Sequence, residues 1–277
     1  MGDELYSRLE EGLDSQESPV SIRLNPFKAQ SLDVTEGLYD CTVPWCSATG
    51  RYLRERPNFT FDPLLHAGLY YVQEAASMIV DHIVRTFINQ PVRMLDLCAA
   101  PGGKSTALRA ALPEGSMLFS NEPMRTRAQI LSENLQKFGH EDVIVTNNYP
   151  RDYRKAGIMF DAILADVPCS GLGVIAKKPE IRGKTEAEIS ALPAIQRDIL
   201  DNLSAYVKRD GVLLYSTCTV LRAENEDVVN AFLADDGEFA PEGFNVGGVS
   251  EPSGMHCFWP NVDGTDGFFA AKLRRIK

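Results

Sequence analysis

From residue 92 onward, short apolar runs alternate with segments of helical spacing, and this alternation limits the chain to very few folds. Strands are predicted in "VRMLDLCAA" (92–100), "SMLFSNE" (116–122), "DVIVTNN" (142–148), "FDAILADVP" (160–168), "GVLLYSTCT" (211–219) and "GFFAAKLRR" (267–275). Helical spacing falls before and between them, in 72–88, 104–112, 125–139, 189–207 and 224–235. Such alternation predicts an α/β domain, a doubly wound and mostly parallel sheet with helices on both faces. In such sheets ligands sit at the carboxyl ends of the strands.

Residues 1–70 read differently, as a small α+β module in front of a catalytic domain at 71–277. This part is polar and turn-rich, with a short helix expected near Glu4–Leu13 and a strand-like alternation in "VSIRLNPFK" (20–28) that stops at Pro26. "VPWCSATGRYLRERP" (43–57) mixes aromatic residues with Arg51, Arg54 and Arg56. The 277 residues suffice for a full domain plus a smaller one.

No stretch approaches the roughly 18 apolar residues of a membrane span. The start, "MGDELYSRLEE", is too acidic and polar for a secretory signal. The six cysteines are scattered, which is the pattern of reduced cytoplasmic thiols and not of a disulfide scaffold. A net charge of −10 argues mildly against nucleic acid, but it can hide local basic patches.

"DLCAAPGGKST" (96–106) follows the first core strand and opens a helix. Glycines there allow close approach of backbone N–H groups to a ligand, and a helix N-terminus favours negative charge. A Walker A loop would need glycine at position 98, which is Cys98. The dinucleotide pattern G-x-G-x-x-G fails because Gly102 and Gly103 are adjacent. The loop of S-adenosylmethionine-dependent methyltransferases fits, with an acid at the end of the second strand to hold the ribose hydroxyls; here that acid is Glu122.

Two cysteines, Cys169 in "DVPCSG" and Cys218 in "STCT", lie in polar company at predicted strand ends. Carbon 5 of a cytosine is too weak a nucleophile to attack a methyl sulfonium. A thiolate added to carbon 6 makes it enamine-like, dividing one hard step into two. Asp166 is placed to offset charge near N3 as the adduct forms, and a second group can assist release.

Together, "YYVQEAASM", "LDLCAAPGGKST", "NEP", "DVPCSGLGV" with "KKPEIR", and "YSTCT" with "ENEDVV" resemble, in order, the motifs of the RNA 5-methylcytosine methyltransferases of the NOL1/NOP2/Sun family. Its bacterial members include 16S rRNA cytosine-C5 methyltransferases. The resemblance implies a Rossmann-like class I methyltransferase domain and S-adenosylmethionine as cofactor. It implies Cys218 as nucleophile and Cys169 as the residue aiding product release. Cofactor contacts carry over to Cys98, Ala99, Ala100, Pro101, Gly102, Gly103 and Lys104, to Glu122 and to Asp166. At the third strand the family has an acid, whereas "TNNYP" offers only Asn147 or Asn148, of which Asn148 is the candidate.

The expected partner is RNA, ribosomal RNA or the small ribosomal subunit in the first place, with another RNA such as tRNA as an alternative. Lys177, Lys178 and Arg182 beside the Pro-Cys motif, and Arg51 and Arg54 among Trp45, Tyr52 and Phe59, are the candidate RNA contacts. A monomer is expected, and no metal: Cys41 and Cys46 with His256 and Cys257 make only a weak zinc pattern. Methylation of a different acceptor would suit an Asp/Asn-Pro-Pro-aromatic motif where this chain has "DVPC". An assembly factor on a silent methyltransferase fold would not need both cysteines, the acid and the glycine loop.

Overall fold

The computed structural model describes residues 9–13, 19–28, 39–139, 141–153 and 157–277. Residues 9–13 are helical, and the earlier part of the helix expected at Glu4–Leu13 lies outside the described residues.

The first strands, β1 (Val20–Leu24), β2 (Tyr39–Thr42), β3 (Gly50–Leu53) and β4 (Tyr70–Val72), form an antiparallel sheet in the order β2-β3-β1-β4. The helical spacing of 72–88 starts too early: Val72 closes β4, which pairs with β1, Ile22 opposite Val72, and α1 begins only at Ile79 (Ile79–Phe87).

The large sheet runs β10-β14-β9-β8-β5-β6-β7. Its parallel centre is β5 (Arg93–Asp96), β6 (Met117–Asn121), β7 (Val143–Thr146), β8 (Phe160–Asp166) and β9 (Val207–Thr217). An antiparallel flank follows, so the sheet is mixed. β14 (Phe268–Arg275) pairs with β9, while β10 (Phe239–Pro241) and β13 (Met255–Phe258) both pair with β14. A separate hairpin joins β11 (Phe244–Val246) to β12 (Val249–Glu251).

Both faces of this sheet are covered, which is why its strands read as unbroken apolar runs. On β8, Ala162 and Leu164 belong to one core and Ile163 and Ala165 to the other; on β9, Val212 and Leu214 alternate with Leu213 and Tyr215 in the same way. The first core is closed by α1 and by α2 (Gly103–Ala111), through Ile79, Ile83 and Leu108. The second is closed by α4 (Leu192–Ser204) and α5 (Glu226–Asp236), through Ile199, Leu203, Val229 and Phe232. α3 (Arg125–Phe138) covers the β6–β7 end and stops at Gly139, whose φ of 81° suits a left-handed cap.

The N-terminal module is tied directly to α2, the helix that follows β5 of the large sheet. Arg23 on β1 is buried; it donates from Nη2 to Thr106 Oγ1 at 2.6 Å and from Nε to Gln73 Oε1 at 2.8 Å, with Phe138 stacked beneath it. Trp45 is also buried, its Nε1 donating to the Ala75 carbonyl at 2.7 Å and its ring packed on Phe258. Trp45, one of the aromatic residues around the candidate RNA contacts Arg51 and Arg54, is thus a core residue joining the two parts. Among the described residues no helix is long and apolar enough to cross a membrane.

Candidate active site

β5 and β8 are neighbours, and the strand order reverses between them, so the loops after them diverge and leave a crevice. The loop after β5 lines it. Gly102 adopts φ 115°, and a Cβ there would lie 3.3 Å from Leu131; at Gly103 it would lie 3.2 Å from the Tyr71 ring. α2 starts at that point, so the first-turn N–H groups face the loop. The loop is braced from outside by Asn134, which donates to Pro101 O at 2.8 Å, and by Arg127, which donates to Ala100 O at 3.1 Å. Ala99 N donates to Asn121 O at 2.8 Å, tying the loop to β6.

Two acids flank this loop. Asp96 at the end of β5 is fully buried and takes the Ser105 hydroxyl on Oδ2 at 2.6 Å; its Oδ1 is buried without a partner. Burial pushes its carboxyl up to about 7. Glu122 follows β6 and is also buried, with Oε1 accepting from Met124 N at 3.0 Å and Oε2 paired to Arg127 at 3.2 Å. Asn148, beyond β7, is held by its backbone: its N–H donates to Asn121 Oδ1 and its carbonyl accepts from Asn121 Nδ2, both at 2.9 Å. Cys98 sits under the same loop, its thiol pushed far up by burial, so it is an inert lining residue.

At the other side of the crevice, Lys104 from α2 reaches Asp166 at the end of β8. Nζ lies 2.9 Å from Oδ2, and Ser216 on β9 donates to Oδ1 at 2.7 Å. Burial works to lower the Lys104 pKa, and the Asp166 carboxylate more than offsets it, so the ammonium is retained. The amine also lies over the Phe268 ring.

Beside this pair the two cysteines meet. Cys169 Sγ and Cys218 Sγ are 3.2 Å apart, and Cys218 N donates to Cys169 Sγ at 3.3 Å. The thiols are driven in opposite directions: the hydrogen bond from Cys169 lowers the pKa of Cys218, with Lys104 and Lys178 assisting, while the same bond and burial raise that of Cys169. The arrangement favours a Cys218 thiolate that accepts a hydrogen bond from a Cys169 thiol which keeps its proton, as a nucleophile requires.

The remaining predicted residues are less concentrated. Lys177 pairs with the buried Asp266 at 2.9 Å, and Arg182 is exposed. Lys178 is exposed and close enough to act electrostatically on Cys218. Arg51 spends its donors on the carbonyls of Ser47, Ala48 and Gly50 and lies over Tyr39, so it first holds its own turn. Arg54 is exposed. Cys41 is exposed and Cys46 buried, and among the described residues no group of three or more His, Cys, Asp or Glu is arranged to hold a metal.

The family description "16S rRNA methyltransferase RsmB/F" matches residues 88–274. The chain belongs to this family. The description "N-terminal domain of 16S rRNA methyltransferase RsmF" matches residues 1–75 as well. Among curated relatives, the ribosomal RNA small subunit methyltransferase F of Shewanella loihica is 32% identical over 92% of this chain and 56% of its own length. That of an Escherichia coli strain is 34% identical over 93% of this chain and 57% of its own length. The chain thus spans somewhat over half the length of the RsmF proteins it matches. A solved methyltransferase homologue from Pyrococcus horikoshii is 26% identical, with a TM-score of 0.82 over 97% of this chain and 90% of that one. NSun6 from the same organism, solved with SFG, shares the fold at a TM-score of 0.84 and 21% identity, over 100% of this chain and 96% of that one. The family expected from the motifs is the one found.

Within the RsmB/F family site, four buried residues carry roles that the motifs alone do not show. Asp96 is one. Glu224, Asn225 and Gln196 are the others, and they hold the two cysteine loops from behind: Thr217 Oγ1 donates to Asn225 Oδ1 at 2.6 Å, and Asn225 Nδ2 to Thr219 O at 3.0 Å. "ENEDVV" signals Glu224 and Asn225 in the sequence, but only as a motif; Gln196 sits in an ordinary amphipathic helix and leaves no signal.

Proposed function

We propose that this chain transfers a methyl group from S-adenosylmethionine to carbon 5 of a cytosine in RNA, with 16S rRNA as the substrate. The names of its relatives support the RNA. The observation that carries the chemistry is the 3.2 Å contact between the Cys169 and Cys218 sulfurs, beside the Lys104–Asp166 pair.

The crevice suits the cofactor. Glu122 offers a buried carboxylate for ribose hydroxyls, Asp96 keeps a buried oxygen without a partner, and Gly102 and Gly103 let the loop pack closely on Leu131 and on the Tyr71 ring. In this reading residues 98–104, Glu122 and Asp166 hold it, with Asn148 contributing at the third strand. When bound, it supplies an electrophilic methyl group on a sulfonium.

The chain's own residues do the rest. Cys218 adds as thiolate to carbon 6, forming an S–C bond, and the displaced pair moves toward N3, where the Lys104 ammonium, held in place by Asp166, offsets the charge. Carbon 5 becomes enamine-like. After methylation the carbon 5 proton passes to the Cys169 sulfur, acting as thiolate at that stage, the pair of that C–H bond re-forms the ring double bond, and the S–C bond breaks with Cys218 leaving as thiolate. The target base must leave its stack to meet both sulfurs, so a loop or unpaired cytosine is favoured. Lys178, Arg182 and Arg54 supply phosphate contacts around the mouth, with Lys177 and Arg51 contributing through what exposure they keep. Reduced thiols are required, which suits the cytoplasm.

Mapping of 5-methylcytosine in 16S rRNA, with and without the protein in the cell of origin, tests this reading. One cytosine should lose its methyl when the protein is removed and regain it when the purified protein is added. Unchanged 16S rRNA with a loss in tRNA would move the substrate; no loss in any RNA would end the proposal.

A further inference from the structure

Glu224 is fully buried, and its carboxylate lies within ion-pair distance of no lysine or arginine among the described residues. Oε2 takes two donors at 2.9 Å, Ser170 N and Gln196 Nε2, while Oε1 is buried without a partner. A buried acid compensated on one oxygen only is a poor stabiliser. Its place in the fold gives it another use. Glu224 belongs to the loop after β9, which carries Cys218, and its carbonyl accepts from the Tyr215 hydroxyl of that strand at 2.5 Å. Its side chain grips Ser170, next to Cys169 in the loop after β8. Gln196 completes the bracket by donating from the same nitrogen to Pro168 O at 3.0 Å, and Ser170 Oγ meets Thr219 Oγ1 at 2.8 Å. One carboxylate therefore links the two cysteine loops from behind.

We infer that Glu224 is a positioning residue for the release half of the reaction: it holds Cys169 against Cys218, without touching the substrate itself. The inference rests on the reading above, in which Cys218 adds to the base and Cys169 assists its expulsion. The Cys218 loop has supports of its own, Asn225 on Thr217 and on the Thr219 carbonyl. The Ser170 N–H loses its acceptor when Glu224 is shortened. Loss of Glu224 should therefore displace Cys169 more than Cys218, sparing addition and methyl transfer while slowing release.

The test compares wild type, Cys169→Ala, Glu224→Ala and Glu224→Gln on small-subunit rRNA with labelled S-adenosylmethionine, following methyl incorporation and denaturant-resistant protein–RNA complex. Glu224→Ala should behave as a weaker Cys169→Ala, with kcat down at least tenfold, KM for both substrates within about twofold, and covalent complex accumulating. Glu224→Gln, which keeps an acceptor for Ser170 N–H, should restore turnover to within a few-fold of wild type and leave no complex. A folded Glu224→Ala protein that turns over normally, or that loses addition and release together, overturns the inference while leaving the cysteine roles intact. Should Glu224→Ala fail to fold, Gln196→Ala takes its place and must show the same slowed release in milder form; normal release there overturns the inference too. Absence of complex from Cys169→Ala itself overturns the cysteine roles, and this inference with them.

Discussion

The sulfurs of Cys169 and Cys218 lie within hydrogen-bond distance at 3.2 Å, although 49 residues separate them in the chain. The contact exists because β8 and β9 are parallel neighbours, Asp166 opposite Ser216, so the residues just beyond them come out at one edge. Its chemical effect is to lower the pKa of Cys218 at the expense of Cys169.

That asymmetry is measurable without RNA. Alkylation by iodoacetamide, mapped by peptide mass spectrometry, should find Cys218 reacting below the pH at which an ordinary thiol does, while Cys98 and Cys257, both pushed up by burial, react slowly. Cys169→Ala removes the donor, so the alkylation profile of Cys218 should move to higher pH. An unchanged profile would mean that Lys104 and Lys178, not Cys169, set the thiolate.

Glu122 should dominate cofactor affinity on the β6 side. Hydrogen bonds to a charged group are worth about 1.5–3 kcal/mol each. Glu122→Ala should therefore weaken S-adenosylmethionine binding at least tenfold in calorimetry, with the protein still folded. Because Arg127 pairs with the same carboxylate, Arg127→Ala should have a smaller effect.

Asp96 gives a signed pH dependence of stability. Its carboxyl titrates at about 7 in the folded chain and near 4 when unfolded, because burial disfavours the anion. Between those values the folded state holds a proton that the unfolded state has lost, so Asp96 increasingly destabilises the fold as pH rises from about 4 to about 7. Asp96→Asn lacks this term. In the cofactor-free protein, its melting temperature relative to wild type should climb across that window and level off above it. A constant difference from pH 4 to 8 would contradict the burial argument.

Much of this was legible in the sequence because parallel strands covered on both faces leave continuous apolar runs, as in Ala162–Ala165 and Val212–Tyr215. The three-residue strands β4, β10, β11 and β12 leave no such trace. Val72, the last residue of β4, reads as the start of a helix that sets in only at Ile79, since its pairing with β1 depends on a partner some fifty residues away. At the site, motif residues that face the crevice were readable. Gln196 was not, and Glu224 showed only as part of "ENEDVV", since their partners are a backbone N–H and a carbonyl that only the folded chain brings near. Trp45 shows the opposite failure: an aromatic among arginines resembles a stacking platform, and nothing local says that Phe258 covers it.

The central claim is that Cys218 bonds to the base and Cys169 frees it. The most direct measurement is a denaturing gel of Cys218→Ala, Cys169→Ala and the double variant after incubation with substrate RNA and S-adenosylmethionine. Cys169→Ala should accumulate a covalent protein–RNA band carrying the transferred methyl, and the band should be absent from Cys218→Ala and from the double variant. A band in Cys218→Ala instead would reverse the two roles, and full turnover in both single variants would leave no covalent mechanism standing.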